Sequence, residues 1–295
     1  MTLLSVLFKD LLARMRTWRM VGVVVLHLGL LSIIAFVVAR FLLRQQNFGF
    51  SQGPQVGQTL FATLATTELL LIVFITPAVT ATVLSSERER RTFELLLLTQ
   101  LSGPGIVAGK VLGTLCFVLL LIFASLPVFS LVFLFGGVAP GALARVFVLY
   151  FASATTLASL GVCVSALARR SQVATAVSYA LVLALVFGSV ISAVFVAPRQ
   201  AVVTITGTGQ TPQQPTSRLY NALIVTSPLV ALASTVAGGT NSGSLVPLVN
   251  SNAASRAKGL SMWRLHLGFD VVLSVLLWCL ASLVIRPPRW ARGRG

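Results

Sequence analysis

Six long apolar stretches divide this chain of 295 residues, at 20–43, 60–84, 109–135, 143–167, 173–196 and 263–285. Each runs to about 20 residues or more, the length a helix needs to cross about 30 Å of hydrocarbon. The pattern predicts six transmembrane helices. Pro77 and Pro127 fall inside the second and third stretches, so kinks are expected there, with neighbouring helices satisfying the freed carbonyls. The third helix has an earlier start available. Ser102 or Gly103 can cap it, and Pro104 suits a first turn, where a missing N–H costs little.

Two shorter patterns flank these spans. Leu3, Leu4, Leu7, Phe8, Leu11, Leu12 and Met15 recur at the spacing of one helical face, with Lys9, Asp10, Arg14 and Arg16 on the rest. Residues 1–19 therefore read as an amphipathic helix lying on the membrane surface, its polar side basic. The apolar run that follows Arg19 is too long for a signal-peptide core of about 7–15 residues, so it reads as a retained first span. Between spans five and six, residues 197–262 form one long loop. It begins with the polar, low-complexity piece "TGTGQTPQQPTS", then turns apolar in "NALIVTSPLVALASTVAG", which Pro228 interrupts. That apolar piece predicts a pair of short re-entrant or surface-lying helices before span six.

Composition agrees with this plan and charge orients it. The chain is 56% hydrophobic and only 9% charged, whereas a soluble domain carries about 25% charged residues. A net charge of +16 would suggest nucleic-acid binding in a soluble protein. Here the basic residues stand at the ends of apolar runs, where they set topology instead. With the N-terminus inside, fourteen fall on the inner side: Lys9, Arg14, Arg16, Arg19, Arg88, Arg90, Arg91, Lys110, Arg169, Arg170, Arg286, Arg289, Arg292 and Arg294. The short loops opposite hold only Arg40, Arg44 and Arg145. Both termini are therefore expected in the cytoplasm, with the loop 197–262 outside. Cys116, Cys163 and Cys279 lack metal-ligand spacing and read as small buried hydrophobes.

One stretch breaks the avoidance of charge. "SSERERRTFELLLLTQLSGPGIVAGK", Ser85 to Lys110, holds Glu87, Glu89 and Glu94, half of the six acidic residues in the chain. A helix from Ser86 is expected, with Ser86 and Glu89 at capping-box spacing and i,i+4 pairs of Glu87 with Arg91 and Arg90 with Glu94. A solvated helical extension accounts for the charges. It does not account for Leu95, Leu96, Leu97 and Leu98, which point all round a helix. Exposing a leucine that could be buried forgoes about 1.5–3 kcal/mol. The segment is therefore expected to lie between protein surfaces, one being the bundle's own inner end and the other a second, soluble protein.

The same stretch resembles the first cytoplasmic loop of ABC-2 type permeases, the membrane subunits of ABC exporters. That loop typically reads Glu-Arg-x-x-Gly-Thr, a hydrophobic residue, Glu, several leucines, Thr-Pro-Leu-Ser, then Gly-Lys. Thr92, Glu94, Leu95 to Leu98, Thr99, Leu101, Ser102, Gly109 and Lys110 fall on the pattern. Arg91 stands where Gly is usual and Gln100 where Pro is usual. "GGV" at 136–138, "SALARR" at 165–170 and the six-span plan also look like this family. The resemblance implies that residues 85–103 form a cytoplasmic coupling loop, a helix between spans two and three that docks on a separate ATPase. The docking residues it implies are Glu87, Arg88, Glu89, Arg90, Arg91, Glu94, Leu96 and Leu97. ATP would be bound by that partner. This chain has no G-x-x-x-x-G-K-[ST] loop, since "SGPGIVAGK" lacks the spacing and Val111 follows the lysine. No cofactor or metal site is expected in the chain. A second permease chain, identical or related, is expected to complete the pathway in the cytoplasmic membrane.

Three further polar residues lie in apolar surroundings. Glu68, in span two, is either a contact in the transport pathway or a structural group beside Thr66 and Thr67, because an ionised carboxylate in mid-membrane must face the bundle or water. His266 and Asp270 share one face of span six at i,i+4. Trp263 and Arg264 suit an interfacial anchor. An intramembrane protease would need more ligands than His27, His266 and these carboxylates supply. The rival to an ABC exporter is an ion-coupled secondary transporter or channel using Glu68 and Asp270, a class that should show inverted repeats or broken helices in both halves.

Overall fold

The computed structural model describes residues 18–45, 53–89, 103–189, 191, 226–237 and 262–285. Most of the interfacial segment, residues 90–102 of the coupling stretch and most of 197–262 lie outside them. Nearly all the described residues are helical, with no strand among them. We number the helices α1 (Trp18–Gln45), α2 (Gly53–Thr80), α3 (Ser85–Glu89), α4 (Gly103–Ala124), α5 (Leu126–Phe135), α6 (Pro140–Leu167), α7 (Ser171–Leu183), α8 (Pro228–Ala237) and α9 (Met262–Val284). Six helical units are long and apolar enough to cross a membrane, with α2–α3 and α4–α5 each counted as one. The protein is an all-α membrane protein with six transmembrane helices.

The first four helical units are longer than the apolar runs alone. The second begins at Gly53, seven residues before the expected start, because Val56, Gly57 and Leu60 still pack against the bundle. The third begins at Gly103, with Pro104 next, as the capping pattern predicts.

One break follows Pro77 by four residues and another precedes Pro127 by two, and at each a side-chain hydroxyl bonds the backbone. Pro77 carries no N–H, so the carbonyl one turn before it loses its helical donor. The helix α2 runs on only to Thr80, and Ala81 to Leu84 form turns before α3. The backbone N–H groups of Leu84 and Ser85 then donate to the hydroxyl of Ser165 on α6, at 2.9 and 3.0 Å. In the third span the break falls at Ser125, two residues before Pro127. The Ser125 hydroxyl donates to the Ile122 carbonyl at 2.8 Å, and its own carbonyl accepts from Val128 and Phe129. Side-chain hydroxyls thus replace the bonds that a membrane interior cannot supply.

The centre of the bundle is α6, which packs on α2, α4, α7, α8 and α9. Of its membrane-length stretch 72% is buried, against 17% for α1 and 11% for α9. The outer faces of α1, α7 and α9 expose Leu, Ile, Val and Phe, the reverse of a soluble protein and what lipid or a second membrane subunit requires. Inside, Phe61, Phe129, Phe147 and Tyr150 form a chain of ring contacts with centroids 5.7–6.1 Å apart. The Tyr150 hydroxyl donates to the Ala65 carbonyl at 2.8 Å, fully buried, and ties α6 to α2.

Small residues let the backbones approach closely. A Cβ at Gly161 of α6 would strike the Thr80 side chain, and one at Gly57 of α2 would strike the Gly136 carbonyl. Gly136 and Gly137 link α5 to α6 with φ of 76° and 81°, a region that favours glycine. Gly137 also lies against the Pro54 backbone, and its carbonyl accepts from Gln58 Nε2 at 3.1 Å.

One expectation needs correction. Cys163 is buried, but Cys116 and Cys279 are exposed on the outer faces of their helices, so only one of the three is a core residue. Pro228 does interrupt the apolar piece: Thr226 is helical, Ser227 breaks the helix, and α8 begins at Pro228 with ten residues, too few to cross a bilayer. Val230, Ala231 and Leu232 bury it against the bundle, where it packs on α6, α9 and α2. Of the other member of the expected pair only Thr226, helical, falls among the described residues.

Candidate functional site

The charged stretch begins where α2 has been interrupted. After the turn at Ala81–Leu84, Ser85–Glu89 forms a short helix whose side chains reach α4, the end of α6 and the start of α7. Ser85 is buried under α6, and its three charged successors each meet a different element. Glu87 Oε1 accepts from Lys110 Nζ of α4 at 2.7 Å, with both side chains largely covered. Arg88 Nη1 reaches the Ala168 carbonyl just past the end of α6, at 3.4 Å. Glu89 accepts twice from Ser171, the first residue of α7. The Ser171 N–H meets Oε1 and the Ser171 hydroxyl meets Oε2, both at 2.8 Å.

The signs suit the helices. A helix C-terminus carries partial negative charge and its N-terminus partial positive charge. Arg88 therefore sits at the favourable end of α6, and Glu89 at the favourable end of α7. Arg170, the residue before α7, makes no side-chain cap. Glu89 supplies that cap from another part of the chain. This replaces the expected capping box, in which Glu89 would have served its own helix with Ser86. The Ser86 N–H is bonded instead to the Thr82 carbonyl at 3.0 Å. Of the expected docking residues, Glu87, Arg88 and Glu89 come together with Lys110 and Ser171. Arg90, Arg91, Glu94, Leu96 and Leu97 lie outside the described residues, and so do the expected pairs of Glu87 with Arg91 and Arg90 with Glu94. Ser165 and Ser171 were not singled out from sequence. "SALARRS" places a serine at each end of a basic link between two apolar runs, which is the signal that could have found them.

Deeper in the bundle are two acid–histidine pairs, and they use both histidines of the chain. His27 Nε2 of α1 lies 3.1 Å from Glu68 Oε2 of α2, with both side chains wholly enclosed. The two groups are in contact without the alignment of a good hydrogen bond, and the Ser125 hydroxyl at the break of the third span lies beside the carboxylate. Thr66 and Thr67 are not partners of Glu68. Their hydroxyls donate to the Ala62 and Thr63 carbonyls of their own helix. The second pair is the one expected at i,i+4. His266 Nε2 lies 3.3 Å from Asp270 Oδ2, buried where α9 meets α6. Ser153 of α6 donates to the same oxygen at 3.3 Å, and the Thr156 hydroxyl donates to the Asp270 carbonyl at 3.1 Å. At the start of α9 the Arg264 guanidinium lies 5.4 Å from the centre of the Trp263 ring.

The chain matches the family described as ABC-2 family transporter protein over residues 4–286. It belongs to the ABC-2 transporter family. The match takes in all six spans and the charged stretch, so this family member is a multi-pass membrane component of a transporter. A search of curated proteins found no significant match.

Proposed function

We propose that this ABC-2 family protein is the permease subunit of an ATP-binding cassette exporter, driven by separate ATPase subunits that hold the ATP. The observation that carries the reading is the family match over nearly the whole chain, 4–286. The charged stretch between spans two and three is the element through which the ATPase acts. Glu87, Arg88, Glu89, Arg90, Arg91, Glu94, Leu96 and Leu97 form its docking set. Both termini and this stretch face the cytoplasm, and the pathway forms with a second permease chain, identical or related, in the cytoplasmic membrane. Glu68 supports the bundle rather than the pathway, a reading favoured by its enclosure with His27.

The test is purification of the whole chain from membranes of its own cell. An ABC ATPase subunit should be retained on it in gentle detergent, and ATP hydrolysis should co-elute. Retention of neither, from a chain at normal abundance, would overturn the ATPase-driven reading in favour of the ion-coupled one.

A further inference from the structure

We propose that Glu89 is the positioning residue that passes movement of the coupling stretch into the fifth span. The inference rests on the proposed action of an ATPase on this stretch and adds where the movement goes. Glu89 is the last described residue before 90–102. Its two carboxylate oxygens hold the N–H and the hydroxyl of Ser171, each at 2.8 Å. Ser171 opens α7, whose own preceding residue supplies no cap. The first turn of that span is thus fastened, through its orphan donor, to a residue 82 positions earlier in the chain. A two-point grip fixes direction as well as distance, which a single contact does not.

The span it grips is less enclosed than the centre of the bundle, and the Tyr179 hydroxyl ties it to the Phe74 carbonyl of α2 at 2.9 Å. Only 22% of the membrane-length stretch 171–188 is buried, whereas α6 beside it is buried over 72%. The helix also changes to a wider π-type turn over Ala184–Gly188, a feature that interrupts regular α-helical bonding. The neighbouring charges act differently. Glu87 is held to Lys110 on α4, and Arg88 reaches the end of the central helix α6. These contacts seat α3 against α4 and α6, while Glu89 reaches across to the less buried span.

Hydrogen exchange on the intact permease–ATPase complex tests this without a known substrate. Exchange is compared with and without ATP plus orthovanadate, which holds the ATPases closed. In the unaltered complex, nucleotide should change exchange both in 86–99 and in 171–176. Glu89 is also in the docking set, so Glu89→Ala can lower both responses, but it should reduce the second by about fivefold more than the first, the scale of one hydrogen bond at an exposed site. Glu89→Gln, whose amide oxygen still accepts the Ser171 N–H, should keep most of the response. Ser171→Ala loses only the hydroxyl bond and should reduce the response by about twofold, which keeps the test available if Glu89→Ala fails to assemble. A purely structural cap predicts faster exchange in 171–176 with and without nucleotide alike, leaving the difference between the two unchanged. A nucleotide response of 171–176 in Glu89→Ala reduced no more than that of 86–99 overturns the proposal. No response of 86–99 in the unaltered complex overturns the ATPase-coupling reading itself.

Discussion

His27 Nε2 of the first span lies 3.1 Å from Glu68 Oε2 of the second, and neither side chain is exposed at all. Each makes the other tolerable, since a lone ion in the membrane interior is costly. Breaking a buried pair by removing one partner costs about 3–5 kcal/mol, whereas replacing both by apolar groups is often neutral. His27→Leu should therefore lower the thermal stability of the purified protein sharply, and His27→Leu with Glu68→Leu should recover most of the loss. A double variant no more stable than the single one would contradict the pairing.

The approach of α6 to α2 at Gly161 is limited by the Thr80 side chain. Gly161→Ala forces these helices apart and should cost about 1–3 kcal/mol, as overpacking of a filled site does. Adding Thr80→Ala removes the nearest atom, the hydroxyl, but not Cβ, so it should restore part of the loss. A neutral Gly161→Ala, judged by detergent melting, would mean the helices are not in close contact here.

Reversing two acidic residues of the charged stretch tests the docking reading. The Glu87–Lys110 pair is largely covered, but it joins only the short helix α3 to α4, so its loss should unseat α3 and not the six spans. Glu87→Lys with Glu94→Lys should therefore leave the bundle inserted and folded. If the stretch docks on an ATPase, the same variant should lose most ATPase co-purification, because half-broken, desolvated pairs at an interface cost about 2–5 kcal/mol. Wild-type co-purification at normal abundance would remove these charges from the docking surface.

The leucines should fail differently from the charges. Leu96→Ser with Leu97→Ser strips apolar contact from a segment expected to lie between two protein surfaces. Truncation in a packed site costs about 2–5 kcal/mol per leucine. This variant should lower both the amount of folded permease and its association with the ATPase. Unchanged melting of the permease alone would show that the leucines do not pack on its own bundle.

Orientation is tested by single cysteines in a chain without the three native ones. Positions Ser51 and Thr211 should react with an impermeant thiol reagent added outside the cell, and position Arg169 should not. Arg169 lies in the link gripped by Arg88 and Glu89, so its labelling from outside would place the charged stretch outside too and end the coupling reading.

Some of this was legible along the chain because the membrane makes local rules sufficient. An apolar run of spanning length must satisfy its backbone internally, so it becomes a helix whatever its neighbours are. The six spans, the start at Gly103 and the His266–Asp270 pair all follow from spacing within one segment. The prolines announced that spans two and three would break. They did not announce that the breaks would fall at Ala81–Leu84 and Ser125, because a helix gives way where another group can take up its freed bonds. For the second span that group is Ser165 of α6, and only packing brings it there. The same holds for His27 with Glu68 and Glu89 with Ser171. Each joins residues far apart in sequence, and no propensity or periodicity relates them. Charge count and apolar length are sums along a segment, so the sequence alone determined that this is a six-span membrane protein with one charged stretch. Which buried acid meets which histidine, and which helix that stretch holds, depend on the distances between helices, and only the packed bundle decided them.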